Sequence, residues 1–305
     1  MAGLTEWELQ QIENIDLVLK NAQVKNAEFN RVDMLLNQGD QGVTEANERL
    51  RFRCFLIDLY SVLDYMCFLL YCHYKNEGNP AFSIESRNVK FPFANNLRRF
   101  QGGDRNIDPE RAHQNRRNNW IRERCRLIFG EEREDQEDWN YFSEFVLSLQ
   151  PLLYVNAAGD PIAADDVPEI EGDAESFSLL HFFRNYCTHR DLVHLFPDAG
   201  VFYINLNTNE RKFVPEGREQ PFQEANQNDV QRLKITSKGF WVEVPYLQNY
   251  HQDRGIQPTR AEPLLSLASR LLSFVKTTRH NLLKFTLNNA PHVTATMSDG
   301  QGMMG

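Results

Sequence analysis

Phe55-Leu56-Ile57-Asp58-Leu59-Tyr60-Ser61-Val62-Leu63-Asp64-Tyr65-Met66-Cys67-Phe68-Leu69-Leu70-Tyr71-Cys72-His73-Tyr74 is the stretch that decides the fold. Leu56, Leu59, Leu63, Met66 and Leu70 recur in alternating steps of three and four, the spacing of one helix face. Phe55, Val62 and Tyr74 widen that stripe enough for the helix to face several neighbours at once, which predicts a bundle. Asp58, Ser61 and Asp64 interrupt the apolar run, so the stretch reads as a core helix and not as a membrane span. Asn76-Glu77-Gly78-Asn79-Pro80 stops it.

Working outward, Glu6 to Leu36 has helical spacing and is closed by Gly39 and Gly42. Residues 80–110, with Pro80, Pro92, Gly102, Gly103 and Pro109, read as irregular. A basic helix is predicted from about Glu110 to Phe129, ended by Gly130, and another from about Gln136 to Leu153, which Pro151 shortens. Asn156 to Asp173 reads as an acidic surface loop. A further helix starts at a Glu175 or Ser176 cap and runs to about Phe196, halted by Pro197.

Beyond Pro197 the period changes to two. Val201–Leu206 and Arg211–Val214 flank Asn207-Thr208-Asn209-Glu210 as a hairpin, and Gly239–Val244 offers a third strand. A last helix, about Thr259 to Leu287, carries Leu264, Leu267, Leu271, Leu272, Phe274, Val275, Leu282 and Leu283 toward the bundle. The expected class is therefore mainly α, an up-and-down helical bundle with a small antiparallel β insertion. The divisions are an N-terminal helix at 1–41, the bundle at 42–197, the insertion at 198–250, the C-terminal helix at 251–287 and a disordered tail at 288–305.

Bulk composition is that of a soluble globular chain, 41 % hydrophobic and 25 % charged. The first residues lack the basic start and apolar stretch of a signal peptide. Cys54, Cys67, Cys72, Cys125 and Cys187 are odd in number and show no paired CxxC spacing. They read as free buried thiols, which points to the cytoplasm, with no zinc site, no cofactor and no membrane partner.

The net charge of -9 excludes indiscriminate nucleic-acid binding but hides a segregation. Residues 87–126 hold 11 Lys or Arg against 4 Asp or Glu, and residues 131–175 hold 14 acids against one Arg. The basic segment offers a phosphate-binding surface (Arg116, Arg117 and Arg122 are its candidates), or else the two segments neutralise each other.

The chemistry lies in Arg184-Asn185-Tyr186-Cys187-Thr188-His189. On a helix Asn185 and His189 sit one turn apart on the same side, and Arg184 lies about 100° round from Asn185. Arg184 offers a permanently charged fork that matches phosphate oxygens. His189 exchanges protons near neutral pH, and Asn185 can fix its ring. RNA brings its own nucleophile in the 2′-hydroxyl, so a base, an acid and a positive charge suffice and no metal is called for. One chain presents half of such a site, and two copies across a twofold axis would complete it. Arg190 would extend the phosphate contacts.

With that motif and helix order, over perhaps residues 42–196 and the last helix, the chain resembles the HEPN superfamily. The resemblance implies a HEPN-like up-and-down bundle and a dimeric, metal-independent endoribonuclease that leaves cyclic phosphate ends. It also implies roles in defence, toxin systems or RNA processing, with catalysis by Arg184 and His189 and support from Asn185. The segments at 6–36 and 200–245 fall outside the minimal family pattern and leave substrate choice and regulation open, a regulatory protein partner included. A bundle of this kind without catalysis would serve as a module that binds RNA, a nucleotide or a protein.

Other residues read as structural. His73 and His113 read as solvated or capping, and His181 and His194 as neighbours of the motif. Asp58 and Asp64 demand partners if buried, and Arg184 is an attractive one. No Gly-rich phosphate loop, GxSxG elbow or HExxH is present, which leaves kinase, hydrolase and zinc-protease chemistry without a basis. The acidic segment could also recruit a basic partner.

Overall fold

In a computed structural model of the chain, α1 (Glu6–Asn37) and α2 (Glu45–Lys75) form a long antiparallel pair, fixed by contacts along their length. Trp7 meets Phe68 edge-on, Lys25 pairs with Asp58 at 2.5 Å, and Phe29 wedges against Phe52 and Phe55. The residues described are 4–38, 42–75, 89–92, 121–134, 136–149, 172–189, 192–193, 195–198, 200–205, 211–215, 230–233, 239–245 and 259–286. Most of the 80–110 irregular stretch, the start of the basic helix, most of the acidic loop and the tail at 288–305 lie outside them.

The chain is mainly α. After α2 come α3 (121–129), a short 3-10 turn, α4 (Glu137–Leu149), α5 (Gly172–His189) and, at the end, α6 (Leu264–Thr286). The apolar stripe read in α2 is the centre of the molecule: Leu56, Leu59, Leu63, Met66 and Leu70 are each fully buried. By length and composition α2 would suffice to cross a membrane, and 61 % of its most apolar window is buried inside the protein. It packs on α1, α5 and α6. One continuous core joins α1 through α6 with Leu195, Phe240, Val242 and Val244, and the N-terminal helix contributes to it.

Two helix ends are set by glycine. Gly130, at φ 86, closes α3 with its N–H donating to the Arg126 carbonyl at 3.0 Å, as the sequence led one to expect. Gly172, at φ 66, opens α5, three to four residues before the predicted cap. The acidic first turn (Asp173, Glu175) suits the positive end of the helix dipole, so the helix begins there and the Ser176 hydroxyl merely bonds back to the Gly172 carbonyl.

The other end of α5 corrects the sequence reading. The helix stops at His189 and does not continue to Phe196. Leu195–Asp198 is a strand, β1, paired with β5 (Gly239–Pro245), with Leu195 opposite Val242 and Pro197 opposite Phe240. Leu195 and Val242 are both fully buried in that pairing, and this tertiary contact outweighs the local helical pattern. Pro197 is tolerated because β1 is an edge strand, where a missing N–H costs no ladder bond.

The insertion is also richer than one sheet. β2 (Gly200–Asn205) and β3 (Arg211–Pro215) form the predicted hairpin, and β4 (Val230–Leu233), unseen in the sequence, pairs with the other side of β2. The predicted third strand, β5, joins a second antiparallel sheet, in the order β1-β5-β6. β6 (Thr259–Pro263) takes the first five residues assigned to the last helix, since they pair with β5 from Thr259 opposite Pro245 to Pro263 opposite Trp241. The five cysteines are free, and all but Cys54 are buried.

Candidate functional site

Helix α5 owes its seat to Phe177, Leu180, Phe183 and Cys187, which are buried at steps of three and four. Phe183 meets Phe52 of α2 edge-on, and Phe177 packs against Phe274 of α6. Those contacts turn the side that carries Arg184, Asn185 and His181 along the flank of α2, against Tyr60. Below it, Arg49 of α2 donates to the Leu192 carbonyl at 2.9 Å and to the Val193 carbonyl at 3.1 Å, holding the chain as it leaves the helix.

Four side chains then close a ring. The Arg184 guanidinium lies 4.8 Å above the Tyr60 ring centroid and donates to Asn185 Oδ1 at 2.8 Å. Asn185 Nδ2 is 2.7 Å from His181 Nε2, and His181 Nδ1 is 2.9 Å from the Tyr60 hydroxyl. The Tyr60 and His181 rings are 5.6 Å apart. Arg184 is half-buried, and among the described residues no carboxylate forms an ion pair with it.

The donors and acceptors around this ring can be assigned in order. A guanidinium only donates, so the Asn185 oxygen must face Arg184 and its NH2 must face His181. His181 Nε2 therefore accepts, its proton sits on Nδ1, and Nδ1–H donates to the Tyr60 oxygen. This needs a neutral imidazole. Burial, with the Arg184 charge as a second cause, pushes the His181 pKa down to about 3, so the ring is neutral at physiological pH.

The sequence candidates fall as follows. Arg184 and Asn185 meet directly. His189 is the last residue of α5, and its side chain lies outside the described residues, as do Arg190, Arg116 and Arg117. Arg122 lies 3.4 Å from Glu134 and 5.7 Å from the Trp139 ring centroid, and Arg126 pairs with Glu134 at 2.9 Å. At this point the basic and acidic segments do neutralise each other.

Asp58 takes Lys25 as its partner, and Asp64 accepts the Phe91 N–H at 2.9 Å, so neither pairs directly with Arg184. Burial pushes the Asp64 pKa up, with Phe91, Arg184 and Lys90 opposing. His73 is partly exposed, and its Nδ1 lies 2.6 Å from Glu8 of α1. His113 and His194 lie outside the described residues.

Sequence reasoning missed the part played by His181 and Tyr60. His181 carried a signal, since it stands in the same i, i+4 relation to Asn185 as Asn185 does to His189. Tyr60 carried none, being one aromatic in a core helix. The chain matches no protein-family model, and comparison with curated proteins and with solved structures gives no match.

Proposed function

We propose that the chain is a HEPN-type, metal-independent endoribonuclease that acts as a homodimer in the cytoplasm on single-stranded RNA. In this reading Arg184 holds the scissile phosphate and His189 exchanges the protons. The 2′-oxygen attacks phosphorus, its proton passing to one His189 imidazole. The P–O5′ bond breaks, and the departing oxygen takes a proton from the other subunit's copy of that residue. The products are a 2′,3′-cyclic phosphate and a 5′-hydroxyl.

One observation carries the proposal: a half-buried guanidinium held on an aromatic face by a neutral amide, with no carboxylate of the described residues in an ion pair with it. Such a cation is already oriented and partly desolvated, which strengthens its interaction with an arriving phosphate. Incubation with single-stranded RNA in EDTA should give cleavage with cyclic phosphate ends. His189→Ala and Arg184→Ala should each abolish it with the helical spectrum intact, and cleavage that survives both would remove the motif from the mechanism.

A second reading is a HEPN-like module that binds RNA or a nucleotide without cutting it. It draws on the fact that the imidazole seen beside Asn185 is that of His181, neutral and bonded at both nitrogens, while phosphate binding by Arg184 needs no histidine. RNA binding lost in Arg184→Ala, with no cleavage by the parent protein, would select it.

A further inference from the structure

We infer that His181, braced by Tyr60, is a positioning residue for Arg184. It fixes the amide of Asn185 so that an oxygen, and never an NH2, faces the guanidinium. The inference rests on the reading of Arg184 as the phosphate-binding group.

The geometry leaves little freedom. Asn185 has one oxygen and one NH2 at the end of a short side chain, and a half-turn about its last bond exchanges them. With the oxygen inward, Arg184 is held by a charge-assisted bond. With the NH2 inward, two donors oppose each other and the guanidinium must leave the Tyr60 face. What selects the first state is the bare Nε2 of His181, which accepts from the NH2 at 2.7 Å. With Nε2 bare the ring proton sits on Nδ1, and Nδ1–H donates to the Tyr60 oxygen at 2.9 Å.

Among the described residues, Tyr60 from α2 and Asn185 from α5 bond to the His181 ring, and the Arg184 charge disfavours a second cation there. Tyr60 acts twice: its oxygen accepts from Nδ1–H and its ring carries the cation. Removing His181 would therefore release Arg184 without touching it.

Two measurements test this on the full-length protein. In 15N spectra the His181 ring should show a protonated Nδ1 and a bare Nε2 from pH 8 to pH 5. A proton on Nε2, or a charged ring at neutral pH, overturns the inference. Arg184 guanidinium resonances should be ordered in the parent and in His181→Gln, whose amide can both accept from Asn185 and donate to Tyr60. They should be averaged by free rotation in His181→Leu.

The second measurement is binding of a single-stranded oligonucleotide made uncleavable by 2′-fluoro riboses. His181→Leu should weaken it about tenfold, as should Tyr60→Phe, which keeps the ring and serves if the leucine variant does not fold, while His181→Gln should restore it to within about threefold. Parent-like affinity in both His181→Leu and Tyr60→Phe, with Arg184→Ala still defective, refutes the positioning role. If the parent protein itself does not bind the oligonucleotide, the nuclease reading fails, and the imidazole and guanidinium spectra still decide whether His181 positions Arg184.

Discussion

Replacing Asp33 with Asn should make the protein more stable at neutral pH. Asp33 lies near the end of α1, where the bundle meets the second sheet. Its Oδ1 accepts the Phe240 N–H at 3.3 Å, and its carboxylate lies 3.1–3.3 Å from where a side chain on Gly239 would begin. Burial, and more weakly the nearby charge of Glu48, pushes its pKa from 3.8 to about 6 against the opposing pull of the Phe240 bond. The folded state thus prefers the protonated acid. The sign follows: below pH 3.8 both folded and unfolded chains carry the proton and nothing is lost, and as pH rises through 6 the folded state alone bears a disfavoured charge. A rise of this size would correspond to about 3 kcal/mol. Because the side chain keeps some contact with solvent, about 1 kcal/mol is the better expectation. Asn keeps the acceptor for Phe240 and removes the charge. Urea unfolding should show Asp33→Asn about 1 kcal/mol above the parent at pH 7.5, with the gap closing by pH 4. A variant less stable than the parent by the same amount at both pH values would refute the reasoning, since the carboxylate would then be a net anchor for β5.

His181 is linked to pH with the opposite sign. Its folded pKa is depressed from 6.5 to about 3, so its contribution is present above pH 6.5 and is lost as pH falls toward 3. The stability of His181→Gln in urea should therefore fall less steeply than the parent's between pH 6.5 and 4.5. Arg49→Met leaves the Leu192 and Val193 carbonyls without their donor. About 1–3 kcal/mol of stability should be lost, and hydrogen exchange should quicken first around residues 189–195. Phe183→Ala empties a site of 1 % exposure beside Phe52 and should cost about 3–5 kcal/mol in denaturant unfolding.

Much of this architecture was legible because helical periodicity is local. The steps at Leu56, Leu59, Leu63, Met66 and Leu70 needed only the sequence to place α2 at the centre. The errors occurred where long-range pairing decides. Leu192, Val193, Leu195 and Phe196 continue an apolar pattern that would suit a helix, yet β5, more than forty residues away, draws Leu195–Asp198 into a sheet. Thr259–Pro263 was lost to the same strand. At the site, the Arg-Asn-x-x-x-His pattern was enough to group Arg184 with Asn185. It could not tell which imidazole Asn185 would meet, because His181 and His189 are equally spaced from it. Nor could it find Tyr60, since choosing one side of α2 over another requires knowing which helix packs there.

The state of Arg184 depends as much on what its neighbours already hold as on its own contacts. The chain is acidic, and carboxylates meet most of the arginines that matter to packing: Arg51 with Glu28 and Glu48, Arg133 with Asp138, Arg270 with Glu175 and Glu262, Arg279 with Asp16. Asp64 stands close enough for the charge of Arg184 to lower its pKa, yet the hydrogen bond its carboxylate makes is from the Phe91 N–H to Oδ1. Asp58, two turns before Tyr65 on the same helix, is held by Lys25. Were Asp64 released from Phe91, a salt bridge to Arg184 would cancel the charge a phosphate would seek. Under the proposed function, the Phe91 N–H thus competes with Arg184 for the Asp64 carboxylate, and among the described residues Arg184 stays outside any ion pair.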